Sequence, residues 1–142
     1  MVDTYDLQRF VDAQNPVYER VLAELRSGEK RSHWMWFVFP QLKGLGFSSM
    51  AERYGIASLA EARAYLEHET LGPRLRECTQ LVMNVEGRHI RRIFDDPDDL
   101  KFRSSMTLFG KASEEKIFEL ALDKYFSGKP DESTLELLSG GR

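Results

Sequence analysis

Cysteine is nearly absent from this 142-residue chain: Cys78 stands alone, so no intramolecular disulfide and no cysteine metal clip can form. A reducing setting follows, and the cytoplasm is the expected location. Histidine is also scarce, and His33, His68 and His89 are isolated, without the paired spacings that hold a metal. No metal site is expected, and no cofactor either. Long apolar runs are missing too, since the longest, Trp34 to Phe39, is far below the roughly 18 residues of a membrane span. No membrane partner is expected. Nor do residues 1–10, which mix Asp3, Asp6, Gln8 and Arg9 with apolar residues, have the basic start and apolar core of an export signal. The net charge of -3 offers no general attraction for phosphate backbones, so nucleic acid is not an expected partner. Convincing period-two alternation, the mark of a half-buried strand, is absent as well.

What is there reads as helix. Hydrophobic residues make up 42% and charged residues 30%, a globular balance in a chain long enough for one core. Asn15-Pro16 has the form of an N-cap and first-turn proline, ahead of Tyr18, Val21, Leu22 and Leu25 at helical spacing and Gly28 at the stop. Ser58 with Glu61 forms a capping box, and Leu71, Leu75, Cys78 and Val82 stripe the following segment. Asp96-Pro97-Asp98-Asp99 is a start signal, with Asp96 as the cap, and Ser113 starts another helix carrying Ile117, Phe118, Ala121 and Tyr125. A short last helix covers residues 133–138. The expectation is an all-α fold: a single compact orthogonal domain over residues 1–142, with about six to eight helices.

Several stretches, "SHWMWFVFPQLKGLG", "YGI", "AYL", "DDLKFRSSMTLF" and "YFSGKPDESTLELL", together resemble the bacterial and fungal family of unknown function numbered eighteen-ten, often mislabelled as calpastatin. The resemblance runs from about Leu7 to Leu138. It implies a compact helical domain and no established activity. The calpastatin label does not suit the chain, because that inhibitor is a long disordered repeat protein.

Function centres on residues 32–49. Trp34 to Phe39 read either as a turn of helix buried on every side or as the wall of a site, and each indole N–H needs a partner if buried. His33, at the start of the block, is either a hydrogen-bonded structural residue or the catalytic acid-base of an enzyme, since imidazole titrates near neutrality. The loop from Gln41 to Ser49 has two readings. With Gly44 and Gly46 exposing backbone amides and Lys43, Ser48 and Ser49 adding donors, it forms an anion cradle; otherwise it is a tight turn ending in a serine N-cap. Neither P-loop nor dinucleotide-fold spacing is present.

Lys101, Ser104 and Ser105 share one side of the helix opened by Pro97, as either a close-packing face or a polar pocket wall. The runs Arg88-His89-Ile90-Arg91-Arg92 and Asp95-Asp96-Pro97-Asp98-Asp99 are read as helix-end complements rather than docking sites. Cys78 lies on an apolar stripe and is not expected to be a nucleophile.

Three functions remain. The leading one binds a small anionic, nucleotide-like ligand through Trp36, Gln41, Lys43, Gly44, Gly46, Ser48, Ser49, Lys101, Ser104 and Ser105. The second is an enzyme acting on ADP-ribose or a related nucleotide. This reading is prompted by a similarity to all-helical domains of NAD-derived metabolism whose acidic motif this chain lacks. The third is a protein-interaction module with no partner assigned, which exposed tryptophans would favour.

Overall fold

The computed structural model describes residues 2–140, and among them every named element is a helix. In chain order these are α1 (Gln8–Gln14), α2 (Tyr18–Ser27), α3 (Met35–Val38), α4 (Ser49–Tyr54), α5 (Leu59–Glu67), α6 (Leu71–Met83), α7 (Ile90–Ile93), α8 (Asp98–Ala112), α9 (Lys116–Phe126) and α10 (Glu132–Leu138). The all-α expectation holds. The ten segments exceed the expected number because α3 and α7 are single turns of four residues, too short to show helical periodicity in a sequence. No helix of the described residues is long and apolar enough to cross a membrane.

The long helix α8 is the axis of the packing. It contacts α5, α9, α10 and α7, while α6 lies against α2, α5 and α9. Phe102, Met106, Leu108 and Phe109 of α8 are fully buried, and they join a single apolar cluster that includes Phe10, Leu25, Trp34, Phe39, Tyr65 and Phe118. Aromatic rings hold its centre: Phe39 meets Phe102 edge-on at 5.1 Å between centroids, and Phe10 meets Tyr65 in the same manner at 5.1 Å.

Some start signals act as read, and others are displaced. The Ser58 hydroxyl accepts the Glu61 N–H at 3.1 Å, while the Glu61 carboxylate turns to the Ala57 N–H at 2.9 Å. Gly28 closes α2 in the left-handed conformation with φ 80°. Asn15, however, does not cap α2. Its N–H donates to the Val11 carbonyl at 2.9 Å, so it ends α1, and α2 starts at Tyr18 after an intervening turn.

Asp96 is likewise not the cap of α8. The Asp98 N–H bonds back to the Asp95 carbonyl at 2.7 Å, and Pro97 itself takes the N-cap position. Ser113 closes α8 instead of opening α9: its hydroxyl donates to the Phe109 carbonyl at 2.9 Å and accepts the Glu115 N–H at 3.3 Å. The charged runs serve the helix ends. Arg88 reaches the Gly28 carbonyl at 3.5 Å, Lys30 pairs with Asp98 at 2.9 Å, and Arg91 pairs with Asp99 at 3.3 Å.

Candidate functional site

The tryptophan block divides between core and surface. Trp34 precedes the single turn α3, and its indole is buried at 1% exposure, with Met35, Phe37, Val38 and Phe39 buried alongside. Trp36 points elsewhere. Two residues apart on a helical turn means a rotation of about 200°, so Trp36 leaves the core and stays partly exposed. Each tryptophan carries a lysine: Lys30 Nζ lies 5.2 Å from the Trp34 ring centroid, and Lys101 Nζ lies 4.6 Å from that of Trp36. Asp98 sits between the two cations, 2.9 Å from Lys30 and 3.5 Å from Lys101.

Beyond Trp36 the chain turns back on itself. The Lys43 N–H donates to the Ile56 carbonyl at 2.7 Å and the Ile56 N–H to the Gln41 carbonyl at 2.9 Å, forming a parallel bridge between Leu42 and Ile56. This bridge fixes the root of the glycine loop against the end of α4. Close approach is possible because Gly55 has no side chain: a Cβ there would stand 2.8 Å from the Lys43 Cα and 2.9 Å from the Ala51 carbonyl oxygen. The loop then swings out through Leu45, Gly46 and Phe47. It ends where the Ser48 hydroxyl accepts the Ala51 N–H at 3.1 Å and caps α4. The serine N-cap reading of this loop is therefore correct at Ser48.

Between that loop and α8 lies an open cleft of about 360 Å³. Of the residues singled out in the sequence, Trp36, Gln41, Gly46, Ser48, Lys101 and Ser104 line it. Residues remote in sequence, Asp131 and Ser133 at the start of α10, complete the wall together with Leu45, Ala51 and the exposed Phe47, Pro97 and Leu100. Nothing local in the sequence announces Asp131 and Ser133, because α10 reaches the cleft only by packing on α8.

The remaining singled-out residues are not brought together there. Lys43, Gly44 and Ser49 are exposed beside the cleft but outside its lining. Ser105 is fully buried, and its hydroxyl has no partner among the described residues. His33 is exposed, one residue before the buried Trp34, and does not line the cleft.

The donors of the cleft are partly committed. The Asp131 carboxylate accepts the Thr134 N–H at 2.9 Å and the Thr134 hydroxyl at 2.7 Å, capping α10. Ser104 donates its hydroxyl to the Leu100 carbonyl at 3.1 Å. The Gln41 amide and the Ser133 hydroxyl have no side-chain partner among the described residues, and Ser48 keeps its hydroxyl hydrogen after accepting from Ala51.

Elsewhere, the unusual titrations are structural. Burial pushes the Cys78 thiol up to about 12, with the Tyr18 hydroxyl 3.9 Å away, so it is no thiolate nucleophile. Glu24 is the group the sequence did not expose. Burial raises its carboxyl, but hydrogen bonds from the Arg31 N–H, the Ser32 hydroxyl, the Trp34 indole and the Ser32 N–H outweigh that and hold it at about 2.

Among the described residues, helices alone, packed around α8 and opening into an aromatic-walled cleft that Lys101 lines, define the class: a small all-α protein with a solvent-open cleft. The chain belongs to the family of proteins of unknown function DUF1810, whose model matches residues 4–138. It is also similar to the conserved hypothetical protein Rv1873 from Mycobacterium tuberculosis, known from a crystal structure. The two chains are 59% identical, with a TM-score of 0.96 over 96% of this chain and 99% of that one. No curated protein matches the chain. The family resemblance read from the tryptophan block and the "SSMTLF" segment is thus borne out.

Proposed function

We propose that the cleft binds a small anionic, nucleotide-like ligand. One observation carries the reading: Lys101 Nζ lies 4.6 Å from the Trp36 ring centroid at the wall of the cleft, with Gln41, Ser48 and Ser133 offering uncommitted polar atoms in the same lining. Apolar walls combined with a few convergent polar groups are the usual form of a small-molecule site, and this cleft combines Trp36, Leu45, Phe47 and Leu100 with Gln41, Ser48, Lys101 and Ser133. The ammonium meets a negative group, and the neighbouring aromatic and aliphatic walls, Trp36, Phe47, Leu45 and Leu100, accept a flat apolar one.

The enzyme alternative draws no support from His33, which lies outside the cleft lining. An interaction module built on exposed tryptophans is disfavoured, because Trp34 is buried and Trp36 only partly exposed. The lone, buried Cys78 suits a cytoplasmic setting.

A thermal-shift screen of phosphate, nucleotides, NAD and ADP-ribose tests the proposal. Ligand at about 100 times its Kd stabilises the native state by about 2.7 kcal/mol, which raises the melting temperature by several degrees in a domain of this size. Lys101→Met keeps the aliphatic stem on Trp36 but removes the charge, so it should abolish the shift and leave the unliganded melt nearly unchanged. An unshifted melt with every anion refutes the binding reading.

A further inference from the structure

We infer that the ligand of this cleft is a mononucleotide, one base and one phosphoryl group, rather than a dinucleotide or ADP-ribose. The inference rests on the anion-binding reading above and narrows it by size, charge and the disposition of the walls.

At about 360 Å³ the cleft lies near the lower end of the roughly 300 to 1,000 Å³ common to ligand sites. Such a space accommodates one base with its sugar and one phosphate, and the second nucleoside half of a larger ligand would extend past the walls into solvent. Charge gives the same limit. Among the described residues Lys101 is the one cation in the lining, and it is already shared with Asp98 at 3.5 Å. A second phosphate would find no second ammonium or guanidinium in the lining. It would face the Asp131 carboxylate instead, and a charge brought out of water without a partner is costly.

The polar atoms left free match a single phosphoryl group and one base edge. The Ser48 and Ser133 hydroxyls are available to phosphate oxygens beside Lys101, and the Gln41 amide, a donor and an acceptor together, is suited to a heterocycle edge. On the rim, Phe47 is 85% exposed, an aromatic ring left in water with no side chain covering it. A base lying across Phe47 removes that face from water, and stacking of this kind tolerates any base.

Isothermal titration of the full chain with AMP, adenosine and ADP-ribose tests the inference. AMP should bind at least tenfold more tightly than adenosine, through the phosphate, and at least tenfold more tightly than ADP-ribose. Lys101→Met should bring AMP down to the level of adenosine. Phe47→Ala, at a position too exposed to disturb folding, should weaken AMP and adenosine alike by about fivefold or more, the loss of one stacking partner. ADP-ribose binding as tightly as AMP, and still lost in Lys101→Met, overturns the mononucleotide limit while leaving the anion site standing. AMP binding indifferent to both substitutions places the nucleotide elsewhere and overturns the inference. Absence of heat with all three compounds, together with an unshifted melt in the wider screen, removes both.

Discussion

The indole N–H of Trp34 donates to the Glu24 carboxylate at 2.9 Å, joining the middle of α2 to the start of the tryptophan block. The same carboxylate accepts the Arg31 N–H at 2.8 Å, the Ser32 N–H at 3.1 Å and the Ser32 hydroxyl at 2.7 Å. Four donors therefore depend on one side chain at a largely buried position. Glu24→Ala leaves the buried indole and the backbone N–H groups without an acceptor, at about 1 to 3 kcal/mol for each group that water cannot reach. A loss of about 3 kcal/mol or more in urea melts is expected, whereas a loss below about 0.5 kcal/mol would mean that the network carries no stability.

The same network makes stability depend on acid. Glu24 is held at about 2 in the folded protein against an ordinary value of 4.5, so the unfolded chain binds the proton first as pH falls. Its contribution is complete above about pH 4.5 and is lost as pH drops from there toward about 2. Glu115, lowered by its hydrogen bond from Arg76, and Asp3, lowered by the Gln8 and Leu7 N–H groups, act in the same direction. Glu24→Gln isolates the first contribution. Urea melts between pH 6 and pH 2 should show the gap between wild type and Glu24→Gln narrowing over that window. A gap independent of pH would sink the assignment.

Trp34 and Trp36 should separate in mutational cost. Trp34→Ala empties a fully enclosed site and removes a hydrogen bond, so about 3 to 5 kcal/mol is expected. Trp36→Ala deletes a ring that is partly in water and partly covered by Lys101, and about 1 to 2 kcal/mol is expected from the smaller area it buries. Equal costs in urea melts would contradict the division of the block into a core residue and a cleft residue.

How much of this was legible follows from which forces act locally. Capping at Ser58 and the stop at Gly28 involve neighbours in the chain, and the structure repeats them. The stripe Leu71, Leu75, Cys78 and Val82 is buried as its period requires. Asn15 and Asp96 misled because each has the chemistry of a cap, while the backbone of α1 and the turn at Asp95 had already taken those positions.

The cleft was half legible. Trp36, Gln41, Gly46 and Ser48 lie in one stretch, residues 32–49, and Lys101 and Ser104 on one helix face. That the two meet depends on Phe39 packing against Phe102 and Lys101 against Trp36, and Asp131 and Ser133 close the wall because α10 packs on α8. Ser105 was grouped with Ser104 by helical spacing, yet one further step of about 100° around α8 turns it into the core. Glu24 gave no signal at all, since a glutamate in an amphipathic helix reads as surface until its partners, seven to ten residues on, fold over it.

Gly55 provides the sharpest test of how the cleft is held. The Leu42–Ile56 bridge presses the Lys43 backbone against Gly55, where a Cβ would lie 2.8 Å from the Lys43 Cα, 2.8 Å from its Cβ and 2.9 Å from the Ala51 carbonyl oxygen. Two of those three atoms belong to the backbone, so no side-chain rotation relieves the clash. Gly55→Ala should therefore cost about 1 to 3 kcal/mol, the range for overpacking, and displace the loop root rather than the core. Amide chemical shifts should move from Gln41 to Ser48 and leave α6 and α9 in place. The displaced loop moves Gln41, Gly46 and Ser48 relative to Lys101, so the nucleotide binding proposed for the cleft should weaken together with those shifts. A variant with wild-type stability and unshifted loop amides would show that the glycine is not what seats the loop.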